Sequence, residues 1–131
     1  MRTHFTIGLA GDFESILNRI LEHARQDPRI VYWDRGQWGV ALVFAFTPKM
    51  ALEEKADIER YGVASPTLCV LEIHPQTKTV VVNQECMDQP RSMLAEFVKW
   101  ILGNFASQVA DSDTGKDITA LAKESPDELF Q

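Results

Sequence analysis

The sequence predicts a single α/β domain. Three observations point there. Short runs rich in β-type residues alternate with three segments of helical period: Phe13–Arg25, Pro48–Arg60 and Pro90–Phe105. Turn and cap residues stand between them, as at Asp27-Pro28, Thr47-Pro48 and Gly103-Asn104. Finally, 131 residues with 45% apolar content suffice for one sizeable core.

Taken in order, Thr3–Leu9 alternates Phe5, Ile7 and Leu9 with Thr6 and Gly8, the period of a strand. Asp12 or Gly11 caps a helix whose apolar residues fall at Phe13, Ile16, Leu17, Ile20, Leu21 and Ala24, one buried face. Arg29–Trp33 is a short strand and Asp34-Arg35-Gly36-Gln37 its turn. Trp38–Phe46 is apolar on both faces, as expected of a central or covered strand.

Thr47 as N-cap and Pro48 in the first turn open the next helix. Its stripe of Met50, Ala51, Leu52, Ile58 and Tyr61 is thin, so it should be the least buried main helix. Gly62 is placed as a left-handed cap. Pro66 then bars helix and pushes Ser65 towards extended geometry. Leu68–Ile73 and Thr79–Gln84 form a hairpin around Pro75-Gln76-Thr77-Lys78, the second strand reading as an edge. The strongest helix follows, with Met93, Leu94, Phe97, Val98, Ile101, Leu102 and Phe105 on its apolar face. From residue 107 to 131 the chain turns acidic and linker-like, a partly ordered or mobile tail behind a domain of residues 1–106.

The order helix, Tyr61-Gly62-Val63, Pro66-Thr67, strand, hairpin, helix resembles the second half of the thioredoxin fold. The resemblance implies a thioredoxin-like mixed sheet with helices on both faces and a cis bond at Pro66. It also implies that Phe13–Arg25 and Pro90–Phe105 share one face, leaving Pro48–Arg60 on the other. Where active thioredoxins carry Trp-Cys-x-x-Cys, this chain has Ala10-Gly11-Asp12-Phe13 and no thiol for exchange. The hairpin between Tyr32 and Trp38 is an addition to the family pattern. The chain is most similar to the redox-inactive domains of protein disulfide isomerases and of calsequestrin, which share an acidic balance and a last helix ending like Gly103-Asn104-Phe105. In such isomerases the resemblance implies partner binding on an apolar surface, a chaperone or scaffold role, without catalysis.

Function classes narrow further. The net charge of −6 disfavours nucleic acid. No run is long enough to cross a bilayer, the longest being Val40–Phe46. No secretory signal is visible at Met1–His4, so a cytoplasmic location is expected if Met1 is the native start. His4, His23 and His74 lack metal-ligand spacing, and Asp34, Glu53 and Glu54 read as solvated carboxylates. No catalytic, cofactor-binding or metal residue is assigned. With the hairpin turning near Gln76, Cys69 should face about Asn83, leaving Cys86 out of reach. Register therefore argues against a disulfide and makes Cys69 a small core hydrophobe.

Tyr32, Trp33 and Trp38 read first as cross-strand pairing and second as binding anchors. The expected function is a redox-inactive protein-binding module. Its partner surface would comprise Met50, Leu52, Ile58 and Tyr61, with the three hairpin aromatics. A second copy, a partner or the Ile118–Leu121 segment would cover the sheet face that the thin helix leaves open. The competing reading is an acidic inhibitor or immunity-type protein that blocks a basic partner. An enzyme with Cys69 or Cys86 as nucleophile ranks last, because neither has a basic neighbour in sequence.

Overall fold

The computed structural model describes residues 4–130, Asp88 by its backbone only. The ends of both expected segments, residues 1–3 and 131, lie outside the described residues, and with them Thr3. Six strands and four α-helices follow in the order β1 (His4–Leu9), α1 (Phe13–Arg25), β2 (Ile30–Asp34), β3 (Val40–Phe44), α2 (Pro48–Tyr61), β4 (Cys69–His74), β5 (Thr79–Asn83), α3 (Asp88–Asn104), β6 (Ser107–Asp111) and α4 (Thr119–Glu124). Short 3₁₀ turns occupy Gly36–Trp38 and Pro126–Phe130.

The strands make one sheet in the order β2-β3-β4-β5-β1-β6, and every neighbouring pair is antiparallel. The mixed sheet implied by the resemblance is therefore corrected. The reason lies after α2. Gly62 takes the left-handed cap at φ 71°, and its N–H donates to the Ile58 carbonyl at 2.8 Å. The loop then doubles back along the helix, where the Ser65 N–H donates to the Glu54 carboxylate. Glu54 is itself buried at 8% exposure. This return delivers β4 to the end at which β3 finished, so the two must run antiparallel. Pro66 sits within that returning loop and is trans, since no peptide bond among the described residues is cis.

Helices do lie on both faces. Phe5, Ile7, Leu42, Phe44, Leu71, Ile73, Val80 and Val82 point to one side, under Ile16 and Ile20 of α1 and Leu94, Phe97, Val98 and Ile101 of α3. The other side carries a smaller cluster, Val31, Val43 and Ala45 beneath Ala51 and Ile58 of α2, with Leu68. Only Ala51, Glu54 and Ile58 of α2 are buried, which matches its thin stripe. Thr47 caps it by accepting from the Met50 N–H at 3.1 Å.

Two further expectations change. The segment after residue 106 is not an appendage, because β6 pairs with β1 as a sixth strand. Ile118, Ala122 and Leu129 then close over the main core, on the α1/α3 side. Ile118 does not cover the face beneath α2 as expected. No cover is needed there: beyond α2 the outward residues of the sheet include Glu72, His74, Thr79, Asn83, His4, Thr6 and Gln108. An antiparallel sheet leaves such a polar face in water.

Cys69 and Cys86 are joined by a disulfide, with their Cα atoms 5.2 Å apart, which reverses the register argument. Val70 pairs with Asn83, but the chain does not continue straight beyond that point. The Cys86 N–H turns back to the Gln84 carbonyl at 2.9 Å, and the Met87 N–H reaches Thr67 at 3.3 Å. That curl brings Cys86 beside the start of β4.

Candidate functional site

α2 presents the most exposed apolar surface. Its inward stripe, Ala51, Glu54 and Ile58, follows helical spacing. Leu52 falls on one flank of that stripe, and Met50 and Tyr61 on the other. Met50 is 38% exposed, Leu52 71% and Tyr61 65%, and Val63 just past the cap is 63% exposed. These are four of the seven exposed large apolar residues among those described, the others being Tyr32, Trp38 and Met87. Glu53, Lys55, Asp57, Glu59 and Arg60 interleave with them, all exposed. The Arg60 guanidinium lies 5.9 Å from the Tyr61 ring centre. Ile58, expected to share this contact, is instead 7% exposed and belongs to the core beneath the helix.

The three hairpin aromatics do not form one cluster. Tyr32 and Trp33 alternate to opposite faces of β2. Tyr32 borders a small gap with Leu21, Ala24, Arg25, Ile30 and Leu42, whereas Trp33 packs on the core beneath α2. Trp38, in the 3₁₀ turn, is exposed beside the β4–β5 turn at His74–Thr77.

One group escaped sequence reasoning. The Arg35 guanidinium stacks 4.8 Å from the Trp33 ring centre and forms an ion pair with Glu72. His74 Nε2 lies 3.6 Å from the other oxygen of the same carboxylate. Glu72 pairs with Ala41, and Ala41 with Trp33, so the register of three strands assembles the group. Nothing in the local sequence joins residues 35 and 72; only the β3–β4 pairing could have found it.

A cleft of about 890 Å³ lies between the end of α1 and the middle of α3. Ile30, Met93, Phe97 and Trp100 line it, and the His23 ring stacks on Trp100 at 3.9 Å, with 3° between the planes. At its rim the Arg29 guanidinium donates to Asp27 at 2.8 and 3.0 Å, holding that carboxyl below its ordinary value. On α3, the ammonium of Lys99 is held above its ordinary value by Asp127 first and Glu96 second. The Asp27–Arg29 pair is local to the α1–β2 connection, whereas Lys99–Asp127 ties α3 to the C-terminal 3₁₀ turn.

His4, His23 and His74 stand on β1, α1 and β4, so the three do not converge. Among the described residues no group of three or more His, Cys, Asp or Glu could hold a metal ion. No helix there is long and apolar enough to cross a membrane. Compared with known proteins, the chain matches no family model, no curated protein and no solved structure at a significant level.

Proposed function

We propose that the protein is a protein-binding module without redox or catalytic chemistry of its own, engaging its partner through the outward flanks of α2 and the following loop. The observation that carries this reading is the exposure of Leu52 on one flank of α2 and of Met50 and Tyr61 on the other, with Val63 past the cap. Large apolar and aromatic side chains of this kind serve as anchors when a partner desolvates them. The interleaved charges would form the polar rim.

The experiment is site-specific photo-crosslinking of the full chain in extracts of the producing cells. A photoreactive residue at Leu52 or Tyr61 should yield one discrete protein adduct, whereas the same residue at Glu14 on α1 should not. Equal labelling from all three positions, or none from any, overturns the reading. Repeating the labelling at high salt separates the acidic-inhibitor alternative. Apolar anchoring persists at high salt, while charge-led capture of a basic partner fades.

A further inference from the structure

The two edges of the sheet are finished differently. At β6 the outer edge is covered by the chain itself: the Ile118 N–H donates to the Val109 carbonyl at 2.8 Å and the Asp111 N–H to Lys116 at 2.9 Å. The Val109 N–H is taken by the Thr119 hydroxyl at 2.9 Å. At β2 there is no such cover. The Ala45 N–H donates to Arg29 and the Arg35 N–H to Gly39, which fixes the ladder phase. The Arg29 carbonyl, the backbone groups of Val31 and Trp33 and the Arg35 N–H are therefore directed to β3, and Ile30, Tyr32 and Asp34 direct theirs outward. The Ile30 N–H is used by the Asp27 carbonyl at 3.1 Å. Among the described residues, no backbone partner meets Tyr32 N–H, Tyr32 C=O, Ile30 C=O or Asp34 N–H.

Soluble proteins commonly blunt an edge with lysine, proline or a bulge. β2, Ile-Val-Tyr-Trp-Asp, carries no lysine, proline or bulge and pairs residue for residue with β3. Tyr32 at its centre is 49% exposed.

We propose that the β2 edge docks a second copy of this chain, strand against strand, about a two-fold axis through Tyr32. The chemistry is self-complementary. With Tyr32 opposite Tyr32, its N–H and C=O exchange two hydrogen bonds across the axis. Asp34 then falls opposite Ile30, and its N–H donates to the Ile30 carbonyl on both sides, making four bonds. This isologous register is what two-fold symmetry requires. Charge is compatible with it: Asp34, whose carboxylate accepts from the Gly36 N–H at 2.9 Å, is carried to the Ile30 end of the other copy, where Arg25, paired with Glu22 at 3.3 Å, flanks the Tyr32 gap. So short a strand pair belongs to the weak size class, with dissociation on the order of micromolar. The inference uses backbone atoms of β2 and is independent of the α2 reading.

Sedimentation equilibrium on the full chain tests it. The protein should reach twice 14.8 kDa as concentration rises through the micromolar range. Tyr32→Lys places like charges directly opposite each other across the axis and should weaken the dimer roughly tenfold or more. Tyr32→Pro, tolerated at an edge because its N–H points outward, should abolish it while leaving the circular dichroism spectrum unchanged. If the proline variant fails to fold, the lysine variant still decides. Tyr32→Cys should cross-link into a covalent dimer on oxidation, whereas Trp38→Cys should not. A chain monomeric at every concentration, a dimer indifferent to both substitutions, or an edge that captures only an extended peptide from another protein overturns the proposal. Leu52→Asp should leave the dimer intact, so loss of the α2 reading would not mimic loss of this one.

Discussion

Gly39 passes so close beneath the carbonyl oxygen of Ile73 that a β-carbon at this position would overlap that oxygen. Its φ of 92° and ψ of −149° lie in a region that is essentially glycine's alone. The contact is where the β2–β3 connection crosses the end of β4, and it fixes the start of β3 in register. Gly39→Ala should therefore destabilise the fold by about 2 kcal/mol or more, from backbone strain and displaced carbonyl together. Chemical denaturation measures this. The open Gly36, with nothing within 4 Å of its ideal Cβ and φ 63°, should cost less when replaced by Asn.

The disulfide makes a second prediction. It closes a separation of 17 residues between the start of β4 and the turn into α3. Cross-linking a loop of that length stabilises by about 3 kcal/mol in the chain-entropy account. Reduction should lower the melting temperature, and the paired Cys69→Ala, Cys86→Ala variant should melt at the reduced protein's temperature and ignore reductant. A protein isolated with two titratable thiols and an unchanged melt would contradict it.

The main helices and strands were legible because their periods are strong. α1 runs over the predicted residues 13–25, and the Thr47 and Gly62 caps of α2 are where their side-chain chemistry places them. What failed depends on long-range pairing. Whether β4 runs parallel or antiparallel to β3 is decided by the returning loop held at Glu54 and Ser65, residues whose partnership carries no local signal. Cys86 was misplaced for a similar reason, since straight extrapolation of a strand ignores the Gln84–Met87 curl. Leu52 and Tyr61 were read as members of the thin apolar stripe of α2, and both are exposed. Ile58 was wrongly grouped with them because a thin stripe does not show which of its members faces the sheet.

The C-terminal segment shows how a weak local pattern can be strongly held. Ile118, Ala122 and Leu129 are at most 7% exposed, yet their sequence is acidic and short of period. Gln84, also buried, donates its side-chain N–H to the Leu129 carbonyl. Leu129→Ala should cost about 2–5 kcal/mol, the range for a fully buried leucine. Removing everything after Asp111 should expose the core beneath α1 and α3, seen as dye binding and a large fall in the denaturation midpoint. A truncated chain as stable as the whole would contradict this placement.

The last prediction concerns acid. The Asp27 carboxyl is held below its ordinary value, chiefly by the Arg29 side-chain hydrogen bond, with the Arg29 N–H at 3.0 Å adding to it. Asp117 is lowered too, first by the Thr119 hydroxyl and then by the Thr119 N–H. A carboxyl depressed in the folded state binds its proton more readily when unfolded. It thus contributes stability that is fully present above the unfolded value and lost as pH falls through the folded one. Stability should accordingly be flat near neutrality and decline below the ordinary carboxylate value of 3.8. Asp27→Asn removes one of these groups, so its stability at neutral pH should be lower and its decline in acid shallower. Asp27 is partly solvated, which keeps the effect to a fraction of a kcal/mol, within reach of denaturation midpoints compared at two pH values. Parallel acid limbs for the variant and the parent would show that the Asp27–Arg29 pair contributes nothing to the fold.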